Sequence, residues 1–79
     1  MKNLYIVEVT DINDKKHQHY CTSIDYIDEH IINFKDLNVN ESHIVATYNW
    51  RNVISYTTIS VVKSEDKKYY YKEKYNIEI

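Results

Sequence analysis

Thr22-Ser23-Ile24-Asp25-Tyr26-Ile27-Asp28-Glu29-His30-Ile31-Ile32-Asn33-Phe34 is the segment on which the fold turns. Ile24, Ile27, Ile31 and Phe34 stand at i, i+3, i+7 and i+10, one stripe of a 3.6-residue period, and predict an amphipathic helix over 23–34. Thr22 with Asp25 three positions on, or Ser23 as the cap itself, supplies a start signal. Asp25, Glu29 and Asn33 fall on the opposite face, and Ile32, close to that polar side, is the one misfit. Residues 35–40 form the exit loop.

Strands flank this segment. Residues 2–10 are β-branched and aromatic, with Leu4 and Ile6 on one face and Tyr5, Val7 and Val9 on the other, so they predict a central strand. Residues 11–16 (DINDKK) read as a turn built on Asx chemistry, and 17–22 as the returning strand. Residues 42–48, then 53–63 (VISYTTISVVK), predict two more strands around a turn at Asn49-Trp50-Arg51-Asn52. After a turn at 64–68, alternation of Tyr69, Tyr71, Tyr75, Ile77 and Ile79 against Tyr70, Lys72, Lys74, Asn76 and Glu78 predicts a last strand, with Glu73 out of phase. The expected fold is α+β, one domain over 1–79, in the order ββαβββ. One helix lies on one face of a mostly antiparallel sheet, burying its stripe against Tyr5, Val7, Val9, Tyr75 and Ile77.

The chain contains neither glycine nor proline. That excludes phosphate-cradling loops, dinucleotide fingerprints, nucleophile elbows and EF-hand turns, all of which need torsions or close approach that glycine allows cheaply. Turns must therefore rest on Asn, Asp and Ser. Ile, Lys, Asn and Tyr come from AT-rich codons and are abundant, whereas Ala46 is the one alanine and Arg51 the one arginine. This skew points to an AT-rich source such as a low-GC bacterium, a phage, a plasmid or an archaeal virus.

Net charge is −2, with −3 in residues 1–40 (four Lys, seven Asp/Glu) and +1 in 41–79 (five Lys, Arg51, five Asp/Glu). Neither half has the basic excess of a dedicated nucleic-acid binder. Cys21 is the single cysteine, so no internal disulfide forms and a cytoplasmic location is expected. No stretch has the length and apolarity of a membrane span or a signal-peptide core.

Four groups of residues could carry chemistry. His17, His19 and Cys21 share one strand face, where imidazole and thiolate could hold zinc. No second pair with ligand spacing exists, so no metal or other cofactor is expected. A nucleophilic Cys21 would need a base and an oxyanion donor pair that no motif supplies, and no catalytic residue is assigned. Tyr70, Lys72 and Lys74 interleave aromatic and basic groups as a single-strand groove would, although lysines guarding an exposed edge explain them without any ligand. Trp50 and Arg51, adjacent at the expected tip of a hairpin, are residue types enriched where binding energy concentrates. Trp50 could instead fold back over the sheet.

No motif identifies a family. The composition leads to a non-enzymatic protein-binding module, of the kind a phage or mobile element uses to inhibit a host nuclease, immunity complex or polymerase. Trp50, Arg51, Tyr70, Lys72 and Lys74 are its candidate contacts. The expected partner is a host protein or protein–nucleic-acid complex, with homodimerisation in addition and no membrane. The alternative is a nucleic-acid-binding accessory protein using the Tyr/Lys face.

Overall fold

The computed structural model describes residues 1–78 and shows an α+β protein built on two three-stranded antiparallel sheets. The strands are β1 (Tyr5–Asp11), β2 (Lys16–Cys21), β3 (Ser23–Tyr26), β4 (Ile31–Lys35), β5 (Ile44–Asn49) and β6 (Val53–Val61). Helix α1 (Ser64–Tyr75) follows, and a 3-10 turn at Trp50–Asn52 joins β5 to β6. The first sheet has the order β2-β1-β6 and the second β3-β4-β5. As its two apolar faces require, β1 is a central strand. The chain passes between sheets at Thr22, whose N–H bonds to Lys35 O at 2.8 Å, and again through the 3-10 turn.

The helix and the last strand have exchanged places relative to the sequence reading. Residues 23–34 are not helical but form the β3–β4 hairpin, with Ile24 opposite Phe34 and Tyr26 opposite Ile32. Asp28 makes the turn, its Oδ1 accepting from the N–H groups of His30 (2.6 Å) and Ile31 (3.0 Å). Period-two pairing puts Ile24, Ile32 and Phe34 on one face and leaves Ile27 53% exposed, outside the core. Ile32, out of phase for a helix, is completely buried.

Residues 64–75 are helical because Glu65 and Asp66 begin the first turn and Lys72 and Lys74 close the last, matching the helix dipole at both ends. Its Lys and Glu residues are also good helix formers, which outweighs the β preference of tyrosine. Ile79, placed in the expected last strand, lies outside the described residues.

The core forms where the sheets face each other: Val7, Val9 and Cys21 from the first against Ile32 and Phe34 from the second. Burying a side chain such as Phe34 contributes roughly 1.5–3 kcal/mol. At one end, α1 adds a smaller buried set. Tyr71 and Leu4 are inaccessible, and the Tyr71 hydroxyl donates to Asp36 Oδ1 (2.8 Å) while accepting from Asn38 Nδ2 (3.0 Å). Tyr70 stacks on Tyr20 of β2, and Tyr75 meets His43 just before β5. The helix thus closes the β2 side at its end of the molecule.

Asx turns replace glycine throughout. Asp11 Oδ1 accepts from the N–H groups of Asn13 and Lys15, Asn40 from Ser42, and Asn49 from Arg51. Among the described residues the left-handed ones are Asp14 (φ 63°) and Asn76 (φ 55°). These two residue types tolerate that region best after glycine.

Candidate functional site

Three connections meet at the end of the molecule opposite α1. The β1–β2 turn closes through the Asp11 carboxylate and holds Ile12 outward. The β3–β4 turn closes through Asp28 and holds Ile27 outward. The 3-10 turn between β5 and β6 is stitched to both: Ile12 N–H donates to Asn52 O at 3.0 Å, and Trp50 N–H to His30 O at 2.8 Å. Backbone bonding therefore holds all three loops in one place.

Trp50 forms the floor of this end. Its indole stacks on Tyr26 (centroids 5.8 Å apart, planes within 8°) and leans on Tyr56, whose hydroxyl bonds to that of Tyr26. That bond, then burial, pushes the Tyr56 hydroxyl up to about 12. Trp50 is thus half-buried against the core and does not project, because β5 and β6 belong to different sheets and form no hairpin. The sequence reading of a protruding hairpin tip is corrected on this point. Arg51 remains exposed, with no ion pair among the described residues.

Ile12 in the β1–β2 turn, Tyr26 at the end of β3, Ile27 in the β3–β4 turn and Ile54 at the start of β6 are between 53% and 61% exposed. Large apolar side chains gathered at one end, rather than scattered singly, are what mark an interaction surface. Around them Asp14, Asp28 and Glu29 are exposed, and so are Lys15, Lys16 and Arg51, so the end is apolar with a surround of mixed charge. Sequence reading found Trp50 and Arg51 but missed the other four. The signal was there in Ile12 and Ile27, isoleucines set among Asp, Asn and Glu in turns where no core could use them.

Tyr70, Lys72 and Lys74 lie on α1, at the far end, separated from Arg51 by the nine residues of β6, about 30 Å of strand. Lys74 Nζ sits 5.6 Å from the Tyr70 ring, while Lys72 bonds to Glu78 (2.9 Å) and Asn76 (3.2 Å). The Tyr70 ring stacks on Tyr20, and burial pushes its hydroxyl well above the usual tyrosine range. The three residues form no alternating groove, since the helix turns Lys72 away from the other two.

His17, His19 and Cys21 share the inward face of β2, opposite Val9, Val7 and Tyr5, as the strand spacing predicts. Each has a structural partner or environment. His17 Nε2 is 2.8 Å from Asp11 Oδ2, and that bond is the main reason the Asp11 carboxyl is held below the usual carboxylate range. His19 Nε2 lies 2.5 Å from the Tyr48 hydroxyl. Burial, then the charges of His17 and Lys74, lowers the His19 pKa, which favours the neutral ring beside the Tyr48 hydroxyl. Burial, then the charge of Asp36, pushes the Cys21 thiol up to about 11, which leaves it a poor nucleophile at neutral pH. Among the described residues no cluster of His, Cys, Asp and Glu has metal-binding geometry, and no helix is long and apolar enough to cross a membrane.

A cleft of about 210 Å³ opens between β6 and β3, lined mainly by Tyr5, Val7, Cys21, Ser23, Ile24 and Thr58. No known protein family, curated protein or solved structure matches the chain.

Proposed function

We propose that the protein is a non-enzymatic binding module that docks on another protein through the end formed by Trp50, Arg51 and the isoleucines around them. The single observation carrying this reading is that three separate connections, bonded to one another, hold the only Trp, the only Arg and four exposed large apolar side chains at one end. An aromatic floor ringed by apolar and charged groups matches the makeup of interface hot spots. The natural setting is a phage or other mobile element acting on a host enzyme or its nucleic-acid complex, a setting supported by the AT-rich composition.

Affinity capture from the source cell tests this, with and without nuclease, using wild type, Arg51→Glu and Ile27→Asp. Both substitutions lie on exposed side chains and are expected to leave the melting temperature unchanged. Loss of the captured protein in both variants supports the reading. Retained capture in both moves the contact elsewhere, and capture that vanishes with nuclease points to nucleic acid as the ligand.

A further inference from the structure

β6 is the longest strand of the chain and one edge of the first sheet. From Asn52 to Val62 it carries no charged residue, although Asp, Glu, Lys and Arg make up 28% of the whole. Edge strands are ordinarily guarded by charge, brevity, bulges or a cover, because their free N–H and C=O groups pair readily with another strand. The other edges show such guards. β2 carries Lys16, paired with Glu8 at 3.4 Å, and its Tyr20 is covered by Tyr70. β3 has only four residues and carries Asp25, paired with Lys35 at 2.8 Å. β5 carries no charge either, but it has only six residues and bulges at Val45, opposite Phe34/Lys35.

β6 has two bulges, at Ile54 and Ile59, opposite Thr10/Asp11 and Ile6/Val7. They curve the strand but leave Ser55–Thr58 in regular register between them. The bonds Val62 N–H to Leu4 O and Ile12 N–H to Asn52 O fix which β1 residues bond toward β6. Glu8 and Thr10 are among them, opposite Thr57 and Ser55. By the alternation of an antiparallel ladder, the backbone groups of Tyr56 and Thr58 point away from β1, along the free edge.

We propose that β6 pairs antiparallel with β6 of a second copy about a two-fold axis at Thr57, joining the two first sheets into one of six strands. In this register Tyr56 and Thr58 exchange backbone hydrogen bonds across the axis, and Thr57 faces its counterpart. The strand suits a copy of itself because it brings no charge to the seam, so the like-charge contacts that penalise self-pairing do not arise. The closed two-fold contact consumes both β6 edges and leaves the six-stranded sheet ending in the guarded β2 strands. The cleft between β6 and β3 opens on this side, so the second copy also shields it along with Ile59 and Val61, 47% and 53% exposed. A single strand pair is small beside the roughly 1,200 Å² of a stable interface, so the dimer is weak.

Sedimentation of the full chain from micromolar to submillimolar concentration tests it, with Thr57→Lys and Thr57→Glu alone and mixed. Wild type should become dimeric as concentration rises. Each variant should stay monomeric at least tenfold further up the concentration range, and the equimolar mixture should recover the dimer by pairing Lys against Glu. Amide exchange of the unaltered protein adds a readout independent of the variants: Tyr56 and Thr58 should gain protection with concentration. A wild-type monomer throughout, a dimer indifferent to both substitutions, a mixture that stays monomeric, or flat protection at Tyr56 and Thr58 would each overturn the proposal. None of these variants touches the Trp50 end, so failure here leaves that reading standing.

Discussion

Aspartate and asparagine do the work of glycine in this chain, and two positions measure what that substitution costs. Asp14 and Asn76 sit at positive φ, where an L-residue is disfavoured by about 1–2 kcal/mol. Part of that is offset because glycine also gains freedom in the unfolded chain. Asp14→Gly should therefore raise stability by about 0.5 kcal/mol, measured by urea unfolding. A loss instead would show that the Asp14 side chain contributes more than its backbone conformation costs. Trp50 is the second residue with a legible energy. Half-buried between Tyr26 and Tyr56, its truncation to alanine should cost about 2 kcal/mol, below the roughly 3–5 kcal/mol of a fully buried aromatic. Trp50→Ala therefore cannot separate binding from folding, which is why Arg51 and Ile27 are the better probes of the proposed contact.

Among the elements, α1 is anchored by a buried bond, from the Tyr71 hydroxyl to Asp36, beside the contacts of Tyr70 with Tyr20 and of Tyr75 with His43. Asp36 is wholly buried, and its Oδ1 accepts from the Tyr71 hydroxyl and from Asn38 N–H. Tyr71→Phe keeps the ring and removes that donor, so it should cost about 1–3 kcal/mol in thermal or urea unfolding. A change within 0.5 kcal/mol would show that the carboxylate is satisfied some other way. The same helix shows how far the sequence could be read. The four other long segments, 2–10, 17–22, 42–48 and 53–63, are strands as expected, because β-branched runs with clear turn residues leave little choice. The α+β class and the antiparallel pairing followed from them. Residues 23–34 are misread as helix because a stripe of four isoleucine and phenylalanine positions fits a helix and a tight hairpin almost equally, and the segment from 69 is misread as strand because its tyrosines alternate with lysines. The discriminating signals were the residues that fitted badly. Ile32 broke the helical stripe and is buried in the strand, while Glu73 broke the strand alternation and is solvent-facing on the helix. For the candidate site, Trp50 and Arg51 could be picked out by residue type. Tyr26, Ile27, Ile12 and Ile54 could not, because only the meeting of three turns from different sheets places them beside Trp50.

At the scale of the whole molecule, β2 faces its histidines into the space between the sheets, and this makes folding depend on pH. His19 is held below its ordinary pKa of 6.5, chiefly by burial and then by the charges of His17 and Lys74. The unfolded chain therefore takes up that proton at a higher pH than the folded protein does, and stability falls as pH drops below about 6.5 toward the folded value. Asp11 acts lower down. Its bond to His17 holds the carboxyl below 3.8, so its contribution is complete above that value and disappears as pH falls through the folded pKa. Melting temperature should accordingly be level through neutral pH, decline through the histidine range, and decline again in the carboxylate range. His19→Gln removes the His19 titration and keeps a side chain that can hydrogen-bond to Tyr48, so its melting temperature should fall less than that of wild type from pH 7 to 5. Equal declines in both proteins over that range would show that His19 titrates alike in the folded and unfolded states, and that the inward face of β2 is open to water.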